Sequence, residues 1–261
     1  MTGIIIAAAV VSIVGLLLGL FLGFMGKKFA VEVNQKEIDV RAELPGNNCG
    51  GCGYAGCDAL AKAIVAGEAD CGACPVGGST VAGKIAAILG QSAGDVARMT
   101  AFVKCGGDCE KAKQEYEYHG LSDCTMVNMM QDGGPKACSY GCLGDGSCVQ
   151  ACPFDAIHIV NGVAVVDKEA CKACGKCVAV CPKHLIEIVP YDQKHLVKCN
   201  SQDKGKAVMQ ACTAGCIGCK MCEKACKFEA VTVENNIAHI DYEKCKDCGA
   251  CAVKCPKKVI S

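Results

Sequence analysis

Two stretches of the chain repeat one cysteine pattern. Residues 171–182 read CKACGKCVAVCP, and residues 245–256 read CKDCGACAVKCP. Adding 74 to each number carries the cysteines of the first stretch onto those of the second. The same shift carries four upstream cysteines onto later ones, namely Cys138, Cys142, Cys148 and Cys152 onto Cys212, Cys216, Cys222 and Cys226. Cys124 and Cys199 differ by 75 and match with a slip of one residue. A fixed period of this kind predicts two tandem copies of one small module.

Cysteine also dominates the composition. The chain has 26 cysteines in 261 residues and no tryptophan. Such a density predicts small cores that are cross-linked by disulfides or by metal. The formal net charge is zero, which gives no indication of a nucleic-acid partner.

The N-terminus predicts the compartment of these cysteines. Gly3 to Met25 is an uncharged run, and a helix needs about 20 residues to cross a bilayer. Lys27 and Lys28 follow the run, and no small-residue cleavage site ends it, which favours a retained anchor over a cleaved signal peptide or a buried core helix. The positive-inside rule then predicts a single-pass protein of the cell (inner) membrane with cytoplasmic C-terminal domains. In that compartment, metal binding or redox chemistry is favoured over disulfides.

Each module contains a hairpin signal between its two cysteine runs. Ala156 to Asp167 reads as two alternating β-branched segments around Asn161-Gly162, a dipeptide that closes a two-residue turn. Ala230 to Asp241 repeats this arrangement around Asn235-Asn236. Each module is therefore predicted as cysteine loop, hairpin and cysteine loop, with a short helical turn after each loop.

Module two has the complete ligand pattern of a two-cluster ferredoxin. In the bacterial run C-x2-C-x2-C-x3-C-P, three thiolates hold one [4Fe-4S] cluster and the fourth belongs to the other. A zinc ribbon would need pairs of cysteines rather than triplets. The predicted ligand sets are Cys216, Cys219, Cys222 and Cys255 for one cluster, and Cys226, Cys245, Cys248 and Cys251 for the other.

Module one departs from this pattern in its first run, where Asp145 stands at the position of Cys219. We expect Cys138 to supply the missing thiolate, because thiolate is the better iron ligand. The alternatives are that Asp145 binds the iron or that the cluster contains only three irons. The predicted sets are Cys138, Cys142, Cys148 and Cys181 for this cluster, and Cys152, Cys171, Cys174 and Cys177 for the second.

A further cysteine group precedes the modules. Residues 44–78 contain Cys49, Cys52 and Cys57 among several glycines, followed by Cys74-Pro75. This spacing predicts a fifth [4Fe-4S] cluster, with Cys74 preferred to Cys71 as fourth ligand because proline follows it. A zinc knuckle is the alternative. The segment after Cys57, CDALAKAIVAGEA, predicts a short amphipathic helix packed on the cluster.

Six cysteines stay outside these five groups: Cys71, Cys105, Cys109, Cys124, Cys199 and Cys212. The segment EKAKQEYEYHGLSD, between Cys109 and Cys124, predicts a charged helical linker. Cys105, Cys109 and Cys124 could hold a sixth cluster, with Cys199 or Cys212 as its fourth ligand. The alternative is that they are free buried thiols, which pack as small hydrophobic residues.

The order of these parts resembles a known family. An apolar helix, then LPGNNCGGCGYAGC with a later CPVGG, then modules containing KACSYGCLGDGSCVQACPFDAI, is similar to the B subunits of Rnf complexes in the double-module form of anaerobic bacteria. The resemblance covers the whole chain. It implies an electron-transfer subunit of a membrane complex that passes electrons from reduced ferredoxin towards NAD and couples this flow to Na+ or H+ translocation. Reduced ferredoxin and the other subunits are the implied partners.

The C-terminal module has the charge that a ferredoxin partner would need. From Lys194 to Ser261 there are 12 lysines and seven acidic residues, a net charge of +5. Ferredoxins are usually acidic, so the lysines around the last cysteine run are candidates for steering one. The alternative is an ordinary solvated lysine surface. No glycine-rich nucleotide fingerprint lies between a strand and a helix, so we expect neither flavin nor NAD in this chain, and no bond chemistry.

The predicted fold is α+β: one transmembrane helix, a small cluster domain and two tandem ferredoxin-like modules. The boundaries are 1–27 for the anchor, 28–95 for the membrane-proximal domain, 96–135 for a linker, 136–190 for module one and 191–261 for module two. The predicted function is an iron–sulfur electron relay. The rival functions are the same relay in a hydrogenase or a quinone-linked complex, and a redox-regulatory reductase of an iron–sulfur transcription factor.

Overall fold

The computed structural model describes residues 2–28, 34–94 and 97–261, and within the first helix it leaves out the side chains at 4, 7, 8, 11 and 27. The helices are α1 Thr2–Lys28, α2 Gln35–Glu43, α3 Cys57–Ala66, α4 Gly78–Leu89, α5 Cys124–Asn128, α6 Ser147–Gln150, α7 Lys176–Val180, α8 Gly205–Ala211, α9 Met221–Ala225 and α10 Ala250–Lys254. The strands are β1 Met99–Val103, β2 Ile157–Val160, β3 Val163–Val166, β4 Ile186–Pro190, β5 Val231–Glu234 and β6 Ile237–Ile240, and a 3-10 turn spans Gln131–Gly133.

Helix α1 carries the uncharged N-terminal run. It is 27 residues long, and those of its large apolar side chains between Ile5 and Phe24 that the structure describes are 49–67% exposed. In the part of the chain that the structure describes, no helix has the length and apolar character needed to cross a membrane. The boundary predicted between the anchor and the next domain, and that predicted between this domain and the linker, lie at or beside positions outside the described residues. The anchor and its flank therefore remain predictions.

The N-terminal domain is a small helical core under its cysteine loops. Helix α3 buries Cys57, Leu60 and Ile64. Gly67 caps its C-terminus, with a φ of 78° in the left-handed conformation that glycine adopts easily. Val40 of α2 and Ile85 of α4 complete this core. The amphipathic helix predicted after Cys57 is confirmed.

Both hairpins form as predicted. Strands β2 and β3 pair antiparallel with Val160 opposite Val163, and β5 and β6 pair with Glu234 opposite Ile237. The turn residues have positive φ in both cases: 48° and 75° at Asn161-Gly162, and 48° and 63° at Asn235-Asn236. Asparagine and glycine tolerate this backbone, so each turn has only two residues.

The segment predicted as a helical linker is not helical. Its backbone is paired elsewhere: Gln114 forms a bridge with Lys136, and Ala112 forms one with Cys212. The amide of Lys113 donates to the carbonyl of Ala211 at 2.9 Å. The helix prediction was wrong because these tertiary hydrogen bonds outweigh a weak local preference.

A strand that the sequence did not reveal precedes this segment. Strand β1 pairs antiparallel with β4, with Val103 opposite Ile186. In module two this sheet is reduced to a single bridge between Val197 and Ile260. In both modules a lysine follows the paired valine and is held by a backbone hydrogen bond. The amide of Lys104 donates to the carbonyl of Leu185 at 2.7 Å, and the amide of Lys198 donates to the carbonyl of Val259 at 2.8 Å. Cys105 and Cys199 therefore occupy equivalent positions, each directly after this lysine. The match of Cys124 with Cys199 that their separation of 75 residues indicated is thus wrong, because the equivalent of Cys199 is Cys105.

Candidate iron–sulfur centres

Four cavities of similar size are each lined by four cysteines. The first lies in module two and has a volume of about 370 Å³. Its cysteines are those predicted for one cluster: Cys216, Cys219, Cys222 and Cys255. The cysteine-lined space fits a cubane, in which each thiolate binds a different iron.

The second predicted group of module two lies on the other side of its hairpin. Cys226, Cys245 and Cys251 pack in the same core as the hairpin strands. Burial raises the pKa of Cys251, and the nearby thiolates of Cys245 and Cys226 raise it further. Cys248 is exposed, so this group opens towards solvent.

The second run of module one and Cys152 from the first run together line a cavity of about 300 Å³. The cysteines are those predicted: Cys152, Cys171, Cys174 and Cys177. The amides of Ala173 and Ala101 donate to the Cys171 sulfur at 3.4 and 3.3 Å. Ala173 has a φ of 51°, as Asp247 has 52° at the equivalent place in module two.

The first run of module one lies in a cysteine group that differs from the predicted set. A cavity of about 360 Å³ brings Cys142, Cys148 and Cys181 together, but its fourth cysteine is Cys124 and not Cys138. Cys124 is the first residue of α5, and its amide donates to the Ser147 hydroxyl at 2.8 Å. The insertion before module one thus folds back over the defective run. Cys138, although close in sequence, lines another cavity, so the structure favours Cys124 over Cys138 at this site.

Asp145 is not among the residues that line this cavity. It is half-buried and accepts a hydrogen bond from the Ser122 hydroxyl at 3.4 Å. Burial raises the pKa of its carboxyl group. The arrangement favours Cys124 over Asp145 as the fourth ligand.

The fourth cavity, of about 440 Å³, collects cysteines that the spacing left unassigned. It lies where the two modules meet, and it is lined by Cys105, Cys138, Cys199 and Cys212. Cys199 and Cys212 are buried, while Cys105 and Cys138 are half-buried. Sequence reasoning considered parts of this set but did not bring these four together.

In the N-terminal domain, the group predicted for the fifth cluster lies on the loops around α3. Burial raises the pKa of Cys74, and the neighbouring thiolates of Cys57 and Cys49 raise it further. The Asn48 side chain fixes this loop by accepting a hydrogen bond from the Cys57 amide at 2.8 Å. Cys71 is instead 3.6 Å from the Gln91 side-chain oxygen. This placement favours Cys74 over Cys71.

The loop of the N-terminal domain touches the second run of module one. A Cβ atom placed on Gly51 would lie 2.7 Å from the carbonyl oxygen of Cys174, so only glycine fits this approach. The group of Cys49 and that of Cys174 are therefore neighbours.

Burial sets the chemistry of the thiols. It raises the pKa of Cys148 to about 12, and that of Cys177, Cys199 and Cys222 to about 11. These side chains are protonated at neutral pH unless a metal stabilises the thiolate, so iron binding would release protons. Over the described ranges, no group of three or more His, Cys, Asp or Glu side chains is arranged to hold a single metal ion, so we interpret the four-cysteine cavities as sites for clusters and not for one ion.

The fold and the cysteine groups define a multi-cluster protein of the ferredoxin type. An Fe-S cluster family model matches residues 44–76, and models described as a 4Fe-4S dicluster domain match residues 135–182, 170–230 and 215–259. Several 4Fe-4S domains are therefore present along the chain.

Three relatives align with nearly the whole chain. The B subunit of the Na(+)-translocating ferredoxin:NAD(+) oxidoreductase complex of Acetobacterium woodii is 48% identical, over 100% of this chain and 78% of its own length. The B subunit of the ion-translocating oxidoreductase complex of Methanosarcina acetivorans is 46% identical, over 97% and 96%. The B subunit of the proton-translocating ferredoxin:NAD(+) oxidoreductase complex of Clostridium ljungdahlii is 44% identical, over 100% and 93%. The chain belongs to the family of B subunits of ion-translocating oxidoreductase complexes, as its motifs predicted.

Proposed function

We propose that this chain is the iron–sulfur relay subunit of an ion-translocating ferredoxin:NAD oxidoreductase. It accepts electrons from reduced ferredoxin and passes them on towards NAD reduction, which the complex couples to Na+ or H+ translocation. Its family supports this function, since two of the relatives carry ferredoxin and NAD(+) in their names.

Four of the five proposed ligand sets are those predicted from the spacing, and the set of the first run of module one contains Cys124 in place of Cys138. When bound, each cluster supplies a one-electron carrier, and no bond is made or broken. The sets are Cys49, Cys52, Cys57 and Cys74; Cys124, Cys142, Cys148 and Cys181; Cys152, Cys171, Cys174 and Cys177; Cys216, Cys219, Cys222 and Cys255; and Cys226, Cys245, Cys248 and Cys251. The chain tunes these carriers through amides that donate to sulfur, such as those of Leu185 to Cys181 and Val259 to Cys255, both at 3.4 Å.

The observation that carries the proposal is a difference in access to two equivalent runs. In module one, the loop at Gly51 covers Cys174, so this run faces another cysteine group of the same chain. In module two, the equivalent Cys248 is exposed, and Val253 of the following helix α10 is 84% exposed. The surface around this run contacts the N-terminal domain in module one, whereas in module two the equivalent surface is free to bind another protein.

The charge around the open run suits an acidic electron donor. Lys246, Lys254 and Lys258 are exposed beside it. Positive charges of this kind raise the rate of encounter with an acidic protein, and salt screens the effect. We place the ferredoxin at this end of the chain and the exit of electrons at the N-terminal domain.

The exit end is next to the proposed membrane anchor. The run from Gly3 to Met25 has no charged residue, and Lys27 and Lys28 follow it, which supports a single span with cytoplasmic cluster domains. Ion transport needs polar or ionisable groups within the membrane. The ion path therefore belongs to partner subunits.

The test is stopped-flow reduction of the anaerobic, cluster-loaded full chain by reduced ferredoxin. The variant Lys246→Glu/Lys254→Glu should slow the second-order rate and weaken its dependence on salt. The matched control Lys36→Glu/Lys62→Glu changes two exposed lysines of the N-terminal domain and should keep the wild-type rate. Equal rates in both double variants would reject the docking surface.

Reduction potentials separate the rival functions. A ferredoxin-fed relay needs most clusters near the roughly −400 mV of low-potential ferredoxins. Much higher potentials would waste the energy needed for ion transport and would favour the quinone-linked or regulatory function.

A further inference from the structure

We propose that Cys105, Cys138, Cys199 and Cys212 bind a sixth [4Fe-4S] cluster between the two modules. No match of a family model contains all four cysteines: Cys105 lies outside every match, Cys138 falls in the match over residues 135–182, and Cys199 and Cys212 fall in the match over residues 170–230. The four side chains come from segments that are up to 107 residues apart in sequence.

The first support is the cavity itself. Four cysteines line it, as four others line each of three further cavities. Its volume is about 440 Å³, and theirs are about 300–370 Å³. A zinc ion holds four thiolates at about 2.3 Å, which brings the sulfurs into contact and leaves no space between them. Two of the other three cavities hold cysteine sets with the ferredoxin spacing, so the likeness of this cavity to them favours a cubane over a single ion.

The second support is that each module contributes the same two positions. Cys138 and Cys212 are related by the 74-residue repeat. Cys105 and Cys199 each follow a lysine whose amide is tied to β4 or its counterpart. The Cys105 sulfur accepts a hydrogen bond from the Cys142 amide at 3.4 Å, and the Cys199 sulfur accepts one from the Cys216 amide at 3.3 Å. A matched pair from each module makes a chance assembly of four free thiols an inadequate explanation.

The third support is a buried positive charge. Lys136 lines the cavity and is only 9% exposed. Its ammonium group donates to the carbonyl oxygens of Gly107 and Gly162, at 3.1 and 2.9 Å. A buried cation is costly without a nearby anion. Four thiolates around an iron–sulfur core would supply negative charge at this place.

Small residues leave room for the cluster. A Cβ atom on Gly107 would lie 3.1 Å from the Cys212 sulfur and 3.8 Å from that of Cys105. Gly141 and Gly215, which are related by the repeat, also line the cavity. The backbone can therefore approach the sulfurs closely.

The position of the site gives it a role, and this role, unlike the site, rests on the proposed relay function. Cys142 belongs to the first cluster group of module one, and Cys216 belongs to the first group of module two. Both donate their amides to sulfurs of the sixth site. The sixth cluster would thus join the two modules into one continuous path.

The test counts iron and acid-labile sulfide in the anaerobically reconstituted full chain. With four irons per cluster, we expect about 24 irons in the wild type and about 20 in Cys199→Ala/Cys212→Ala. The matched control is Cys71→Ala/Cys109→Ala, which removes the two cysteines outside the six groups and should keep about 24. Equal iron in wild type and both double variants would overturn the site, as would one zinc per chain that is lost only from Cys199→Ala/Cys212→Ala.

A milder variant covers the case in which the alanine variant loses further clusters by misfolding. Cys212→Ser keeps an oxygen ligand, so we expect one component of the EPR redox titration to shift while the others stay. An unchanged titration would overturn the proposal.

The role is tested separately by following where electrons go. After ferredoxin reduces module two, the clusters of module one should be reduced within the wild-type time course, and this phase should be lost in Cys199→Ala/Cys212→Ala. If iron falls as expected but the phase persists, the site stands and the bridging role fails. If ferredoxin does not reduce even the wild type, the relay function fails and the iron count still decides the site.

Discussion

The two ferredoxin-like modules each form a four-cysteine group at their first run, but they take the fourth cysteine from different parts of the chain. Module two carries Cys219 inside its first run, whereas module one has Asp145 there and obtains Cys124 from outside the run. The source is an insertion: 32 residues separate Cys105 from Cys138, but only 12 separate Cys199 from Cys212. A cysteine group can therefore be preserved in space although its sequence motif is broken.

The modules differ also in what covers them. The second run of module one is covered by the N-terminal domain at Gly51, while that of module two is open at Cys248. The same run therefore faces another cluster group in one copy and solvent in the other. We attribute the direction of the proposed relay to this difference.

Removal of Cys124 tests the first difference between the modules most directly. We expect Cys124→Ala to lower the iron content by about one to four atoms per chain, from a three-iron cluster to complete loss of the cluster, as Cys219→Ala should in module two. Restoring the module-two pattern with Cys124→Ala/Asp145→Cys should recover the iron. The measurement is iron per chain with EPR of the oxidised sample, and Cys109→Ala is the control. Wild-type iron in Cys124→Ala would show that the insertion is not a ligand source.

The modules can also be compared at the glycine that lies against each hairpin turn. A Cβ atom on Gly144 would lie 2.8 Å from the Gly162 carbonyl oxygen, and one on Gly218 would lie 2.9 Å from that of Asn236. Both glycines have positive φ, 87° and 64°. We expect Gly144→Ala and Gly218→Ala each to lower the free energy of unfolding by about 2–4 kcal/mol, from backbone strain plus steric overlap.

The matched control for this pair is Gly146→Ala. Its φ is 80°, but its nearest neighbour would be 3.8 Å from the new Cβ. The cost should therefore be strain alone, about 1–2 kcal/mol. The midpoint of guanidinium-induced loss of cluster absorbance ranks the three variants. Equal shifts for all three would mean that the contact with the hairpin does not matter.

A weaker effect is expected at a contact that only module two makes. The Tyr242 hydroxyl donates to the Glu187 carboxylate of module one at 2.9 Å, and position 168 of module one has lysine at the equivalent place. Tyr242→Phe should lower the free energy of unfolding by about 1 kcal/mol, because the carboxylate is partly exposed. Tyr54→Phe in the N-terminal domain is the control.

The pH dependence of this contact has a defined sign. Burial and the nearby Glu187 carboxylate raise the pKa of Tyr242. A raised pKa in the folded chain means that the contribution is fully present below the ordinary tyrosine pKa of about 10 and is lost as the pH rises through the higher folded value. The difference between wild type and Tyr242→Phe should therefore be constant at neutral pH. A difference that already vanishes between pH 7 and 9 would contradict this assignment.

Features that depend on close neighbours in the chain could be predicted without the fold. The turns at Asn161-Gly162 and Asn235-Asn236 and helix α3 are of this kind, because turn residues and helical periodicity act over a few positions. The 74-residue period is visible directly as a repeated cysteine pattern. The cysteine sets of module two and of the second run of module one were predicted from the ferredoxin spacing. The set that contains Cys219 and the set that contains Cys174 each line one cavity.

The fold was needed to show which cysteines the long segments between the motifs bring together. The insertion before module one carries Cys124 to the run that lacks a cysteine, and the docking of the modules brings Cys105 and Cys138 to Cys199 and Cys212. Sequence spacing has no information on such contacts, because a 32-residue segment without a repeat can end its path at many places. The backbone bridges of Ala112 and Gln114 select one of these paths, and with it they select the partners of Cys124 and Cys138.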